Sequence, residues 1–179
     1  GRTGKPYSWT FNNDMNGDGL AGNDLLYIPK APGSGEVLFY GATAAAQKAN
    51  EDQFWAIVNS ESSLSGVRGG GVGRNNATAK FTNTFDLRIS QELPGFFAKH
   101  KGSIALDILN VGNLLNKEWG RIDEVGFQSA GGLARSFVNY AGIKDGKYIY
   151  NVQPLEDYVT RNSKNESQWA AQVTLKYEF

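Results

Sequence analysis

Asp14, Asn16, Asp18 and Asp24 gather in the stretch NNDMNGDGLAGNDLLYIP, Asn12 to Pro29, around Gly17 and Gly19. Oxygen-bearing side chains at alternate positions, followed by a glycine that permits a sharp turn, form the first half of the D-x-[DN]-x-[DN]-G calcium loop. On that pattern Asp14, Asn16, Asp18 and the carbonyl of Leu20 converge on Ca²⁺, with Asp24 as a further carboxylate. The second half departs from it. Leu25 stands where a bidentate Glu is expected and Asp24 comes one residue early, so the cage would have to be irregular, which Ca²⁺ tolerates. The same residues equally suit an exposed Asp/Asn/Gly turn whose side chains cap their own backbone. The sequence leaves both readings open, and calcium is the one cofactor it suggests.

Little other site chemistry is available. The chain has no cysteine and a single histidine, His100, which removes thiolate chemistry and leaves zinc short of its usual nitrogen and sulfur ligands. The pairs Asp123/Glu124 and Glu156/Asp157 fall in expected loops without an acid/base setting, so no catalytic residue is expected, and no enzyme. The glycine-rich SGVRGGGVGRN lacks the Gly-Lys-Ser/Thr ending of a phosphate loop. Eighteen basic and eighteen acidic residues cancel, which argues against a nucleic-acid partner.

The elements that must position these residues are predicted by alternation. In WAAQVTLKYEF, Trp169, Ala171, Val173, Leu175, Tyr177 and Phe179 share one parity, while Gln172, Thr174, Lys176 and Glu178 occupy the other. In a strand this sends the large apolar groups to one face. Phe85, Leu87 and Ile89 repeat the pattern in the second strand, Ile104, Leu106 and Ile108 in the third, and Tyr7, Trp9 and Phe11 in the first. About four strands of membrane-crossing length are expected, with aromatics at their ends as an interfacial girdle. No apolar run suits a membrane-spanning helix. The short link PGFFAKHK joins the second and third strands, whereas long excursions follow the first and the third.

The expected fold class is therefore all-β: antiparallel strands of a large outer-membrane β-barrel, with long extracellular loops and one short helical region. The helix is expected within Gly41 to Leu64, from a capping-box-like start at Asn50-x-x-Gln53, with Phe54, Trp55, Ile57 and Val58 as its apolar surface. FVNYAGIKDGKYIYNV predicts a hairpin turning at Lys144-Asp145-Gly146.

GKPYSWTF, DMNGDGLAGNDLLYIP, FDLRISQELPGFF, LDILNVGNLLNKEWG and the closing VTLKYEF together resemble, in order and over nearly the whole chain, the C-terminal barrel segment of a TonB-dependent outer-membrane receptor of the Oar-like branch. The resemblance is most specific at Asn110 to Gly120 and in the terminal strand. It implies that residues 1–179 are part of a 22-stranded plugged barrel in the outer membrane of a Gram-negative bacterium, taking up a scarce, bulky and unnamed ligand with energy relayed by TonB. The plug and the TonB-contacting segment would lie in an absent N-terminal portion, and Gly1 is expected to be a cut end. Outer-membrane lipid is the implied surrounding. Val173, Leu175, Tyr177 and Phe179 match the terminal pattern that the barrel assembly machinery reads in this family.

On this reading Phe85, Leu87, Ile89, Ile104, Leu106, Ile108, Val173, Leu175 and Tyr177 face lipid, and Asp86, Arg88, Asp107, Lys176 and Glu178 face the lumen as cross-strand charges. The rival is a secreted, soluble, calcium-stabilised β module binding sugar or protein, in which the same apolar faces would form the core of a sandwich.

Overall fold

The computed structural model describes residues 1–128, 132–162 and 165–179. The chain is mostly strand with few helices, and among the described residues no helix is long and apolar enough to cross a membrane. Strands β1 (Pro6–Thr10), β2 (Tyr27–Ile28) and β3 (Leu38–Phe39) precede helices α1 (Ala44–Ser60) and α2 (Ser62–Ser65). Strands β4 (Gly70–Gly71), β5 (Ala77–Thr78), β6 (Leu87–Pro94) and β7 (Lys101–Leu109) lead to the short helix α3 (Val111–Leu115). Then come β8 (Asp123–Glu124), β9 (Phe127–Gln128), β10 (Gly132–Ser136), β11 (Val138–Lys144), β12 (Lys147–Val152), β13 (Val159–Thr160) and β14 (Ala170–Glu178). Each sheet is open, with two to four strands.

Two compact units share the chain. One comprises Lys5–Ala79 and Val125–Val159; the other comprises Gly1–Gly4, Lys80–Glu124 and Thr160–Phe179. The first unites most of the two long excursions around an aromatic core of its own.

Strand β1 lies inside that core, in contrast to the expected barrel stave. It pairs antiparallel with β5 and parallel with β10, and parallel pairing has no place in an up-and-down antiparallel barrel. Tyr7, Trp9 and Phe11 are sealed from solvent, so they are not girdle aromatics. Ser8 and Thr10 on the opposite parity are buried too, and Thr10 Oγ1 meets Ser136 Oγ at 2.9 Å. Trp9 stands edge-on to Phe137 at 5.7 Å between ring centroids, Phe11 edge-on to Tyr150 at 5.4 Å, and Phe54 touches Phe137 and Tyr150. Such pairs contribute about 0.5–1.5 kcal/mol each beyond their buried area. The polar tips also find partners: Trp9 Nε1 donates to Ser63 Oγ at 2.9 Å, and the Tyr150 hydroxyl donates to the Tyr27 carbonyl at 3.0 Å.

Helix α1 begins earlier than its sequence suggests. Thr43 is the N-cap and accepts from the Ala46 amide at 3.2 Å, ahead of a run of alanines that favours helix. Asn50 is thus a mid-helix residue: its side chain donates to the Tyr40 carbonyl and accepts from the Val152 amide, tying the helix to strand backbone. Phe54, Trp55 and Val58 enter the core and Ile57 packs at its edge, as their spacing predicts. Strands β11 and β12 form the expected hairpin. Asp145 and Gly146 both take positive φ, 52° and 72°, the requirement of a two-residue turn that matches strand twist.

The second unit is organised on a three-stranded antiparallel sheet in the order β14-β7-β6, with the short link Gly95 to His100 joining β6 to β7. Here the third and last expected strands appear as β7 and β14, close to their expected extents, whereas the second begins only at Leu87, so that Phe85 and Asp86, expected within it, precede the strand.

Candidate functional site

The register of this sheet sorts its side chains into two faces. Leu87 opposes Ile108, Ile89 and Val173 both oppose Leu106, and Leu175 opposes Ile104. All lie on one face, because cross-strand partners share a side of the pleat. On the other, Arg88 opposes Asp107, Glu92 opposes Ser103, Lys176 opposes Ser103, and Glu178 opposes Lys101. Arg88 Nη1 reaches Asp107 Oδ1 at 3.1 Å, and Lys176 pairs with Glu178 along the same strand.

Among the described residues the apolar face is largely exposed. Leu175 is 74 % exposed and Val173 63 %; Phe85, Leu87, Ile89, Ile104 and Tyr177 are also exposed, while Leu106 and Ile108 on the central strand are half-buried. In water, the most exposed of these side chains forgo a large part of the roughly 1.5–3 kcal/mol that full burial contributes. Aromatics mark both ends of the sheet. Trp119 and Trp169 lie at one end, and Phe96, Phe97, Tyr177 and Phe179 at the other. His100 joins the latter group, with Nδ1 2.9 Å from the Tyr177 hydroxyl. The nine residues of β14 span about 30 Å between these ends.

A side-chain belt closes the Trp119 end. Asn110 adopts a left-handed conformation, φ 52°, and its amide donates to Asp86 Oδ1 at 2.8 Å. Its Nδ2 donates to the Gly120 carbonyl at 3.1 Å, and a Cβ at position 120, where φ is +63°, would stand 1.9 Å from Asn110 Oδ1. Asn113 Nδ2 donates to the Lys117 and Trp119 carbonyls at 2.9 Å each, while its Oδ1 accepts from the Trp169 amide at 3.3 Å. Two asparagines in NVGNLLNKEWG thus fix the approach to β6, the exit from β7 and the entry to β14. Nearby, burial pushes the Asp123 carboxyl up, but hydrogen bonds from Thr160 and Lys80, with the charges of Lys80 and Arg121, outweigh it and hold the group below its ordinary value.

The acidic stretch forms nested side-chain turns in the first unit. Asp14 accepts from the Gly17 and Gly19 amides at 2.7 and 2.8 Å. Asn16 Oδ1 accepts from the Asp18 amide, and Asp18 accepts from the Leu20 amide and from Asn23 Nδ2. Asp24 Oδ2 accepts from the Met15 amide at 2.7 Å and the Asn16 amide at 3.3 Å. The Leu20 amide, more than any other group, lowers the Asp18 carboxyl below its usual range. Asp14, Asn16, Asp18, Leu20 and Asp24 are therefore neighbours in one turn, and a cation would compete with these N–H donors for the same oxygens. Among the described residues, no three His, Cys, Asp or Glu side chains converge in a group able to hold a metal ion.

The roles of Asn113 and Gly120 are not legible in the run Asn110 to Gly120 by itself. Nor is that of Arg135, which is buried, paired with Glu61 at 3.2 Å and stacked over the Tyr158 ring at 4.4 Å. A lone arginine in the half-apolar run LARSFV was the available signal. No family model matches the chain, and neither curated proteins nor solved structures give a match to it.

Proposed function

We propose that this chain supplies wall strands and outer loops of a TonB-dependent outer-membrane receptor of the Oar-like branch, which takes up a bulky ligand with energy relayed from the inner membrane. The observation that carries this reading is the exposed apolar face of the β14-β7-β6 sheet, backed by a charged face and bounded by aromatics at both ends. Acyl chains satisfy such a face, and a water-filled or plugged lumen suits its reverse. A closed barrel would also pair the free edges of β6 and β14 with neighbouring strands. The exposure of Val173 and Leu175 counts against the soluble sandwich, which would place a second sheet over them.

In this reading Val173, Leu175, Tyr177 and Phe179 present the terminal signal to the assembly machinery, and the folded unit containing the acidic turn stands on the extracellular side. The test is the outer-membrane level of the full-length receptor. Leu175→Arg should lower it at least tenfold, whereas Thr174→Arg, on the polar face, should leave it near normal. Normal levels of Leu175→Arg would overturn the orientation.

A further inference from the structure

In the unit that holds the β14-β7-β6 sheet, the stretch leading into β6 and the stretch leaving α3 enclose an open cavity of about 490 Å³. Phe81 and Phe85 line it from the first stretch, and Trp119 from the second. Two cross-links hold these walls together. The Thr82 hydroxyl donates to the Arg121 carbonyl at 2.9 Å, and Lys80 Nζ donates to Asp123 Oδ2 at 3.2 Å. Trp119 is fixed through its backbone: its amide donates to the Asn116 carbonyl at 2.9 Å, and its carbonyl accepts from Asn113. The rings themselves are open to solvent, since Trp119, Phe81 and Phe85 are each more than half exposed. A site whose backbone is ordered before the ligand arrives loses less freedom on binding.

The chemistry of these walls selects a ligand. Aromatic faces carry negative charge density and attract weakly positive C–H groups. Beside the rings, the polar lining is charge-paired: Lys80 with Asp123, Arg121 with Glu118, and Arg121 with Asp123 at 3.6 Å. An anionic or cationic ligand would have to draw one of these pairs apart. A hydroxyl group would not, because it donates to the spare lone pairs of a carboxylate and accepts from the spare N–H groups of an ammonium or guanidinium. The Lys80 and Glu118 side chains keep more than half of their surface in water while paired, so those atoms can be reached. Asn83, exposed on the first stretch, adds an amide that both donates and accepts. A pyranose ring carries both halves of this pattern, a C–H face for the aromatic rings and a rim of hydroxyls for the paired charges. From the three exposed rings and the ion pairs beside them, we infer that this cavity binds an uncharged saccharide, free or as the headgroup of a glycolipid. Its volume is that of a small-ligand site.

The cavity lies within one unit, so the assignment holds whether the sheet faces lipid or water. It is tested by calorimetric titration of the full chain, kept in a zwitterionic detergent without a sugar headgroup. The probes are an array of neutral oligosaccharides, cellotetraose, mannotetraose and chitotetraose among them, beside tetragalacturonate and chitosan tetramer as charged forms and adenosine as a flat stacking ligand. A neutral oligosaccharide should bind best, with an affinity unmoved by salt. Trp119→Ala should weaken it about tenfold, the loss expected of one aromatic stacking contact, while Trp119→Phe retains most of it. Asn83→Ala should weaken it about threefold. Near-UV circular dichroism checks that each variant is folded, and Phe81→Ala on the opposite wall provides a second probe should Trp119→Ala loosen the belt. The same sugars presented on a lipid in vesicles identify the source: a gain on lipid attachment assigns the site to a glycolipid headgroup, and equal affinity assigns it to a free oligosaccharide. Absence of neutral-sugar binding in both forms, preference for a charged sugar or for adenosine, or affinity unmoved by both Trp119→Ala and Phe81→Ala in a folded chain would overturn it.

Discussion

The core around Trp9 and the sheet around Leu175 are both built on alternating apolar strands, yet they dispose of their large side chains in opposite ways. Trp9 is 0 % exposed, among rings contributed by α1, β11 and β12 and the residues beside them; Leu175 is 74 % exposed, on a sheet whose other face carries an Arg–Asp pair. Both faces of β1 are buried, whereas β14 keeps its two faces chemically distinct. Alternation therefore specifies that a strand has sides. What covers each side is decided by the chain that returns to it.

The contrast can be broken most directly at Trp9. Trp9→Ala should cost the first unit about 3–5 kcal/mol, read by chemical denaturation with near-UV circular dichroism; a loss below ~1 kcal/mol would mean that the ring is not a core residue. Charge placed on the other apolar surface is the reciprocal test. Leu175→Arg should cost about 2–4 kcal/mol near the midplane of a bilayer, yet little in a chain kept in water, so the difference between the two media measures what solvates that face.

Gly120→Ala comes next, because its left-handed backbone and the adjacent Asn110 amide leave no room for a methyl group. A loss of about 1–3 kcal/mol is expected, accompanied by faster amide exchange at Trp169; unchanged exchange would separate the belt from the start of β14. Smaller still is Arg88→Ala, at most about 1 kcal/mol for an exposed cross-strand pair, and it should fade with added salt.

The acidic turn and the Asp123 cluster should respond least. Asp18 and Asp123 both have carboxyl groups held below the ordinary value of 3.8 in the folded chain. Their contribution is complete above that value and is lost as pH falls below it, because the unfolded chain takes up protons first. Protection of the Leu20 amide, its exchange taken relative to the intrinsic rate at each pH, should therefore fall on acidification below the usual carboxylate range and hold constant from neutral pH down to it. Melting with and without millimolar calcium, in the native chain and in Asp14→Ala with Asp18→Ala, sharpens the same point: equal melting throughout removes the cation.

The strands β6, β7 and β14, the link between β6 and β7, the hairpin at Asp145-Gly146 and the apolar side of α1 were all legible in the sequence, because period and turn chemistry are local signals. The place of β1 was not. Its aromatics read as a girdle until residues more than a hundred positions away, in β10 to β12, pack onto them, and no local pattern encodes that return. The acidic stretch was legible as a turn, since Asp and Asn followed by glycine cap their own backbone, but its oxygens look alike whether they bind N–H groups or an ion.

Asn113 holds the first residues of the terminal strand from 56 positions upstream. Since that clasp sits on the sheet itself, the excursion between β7 and β14 is relieved of setting the strand's alignment. Evolution can then lengthen, shorten or rewrite the intervening residues while β14 keeps its step, and a slip by one position, which would turn every apolar side chain to the opposite face of the sheet, is opposed at its starting point.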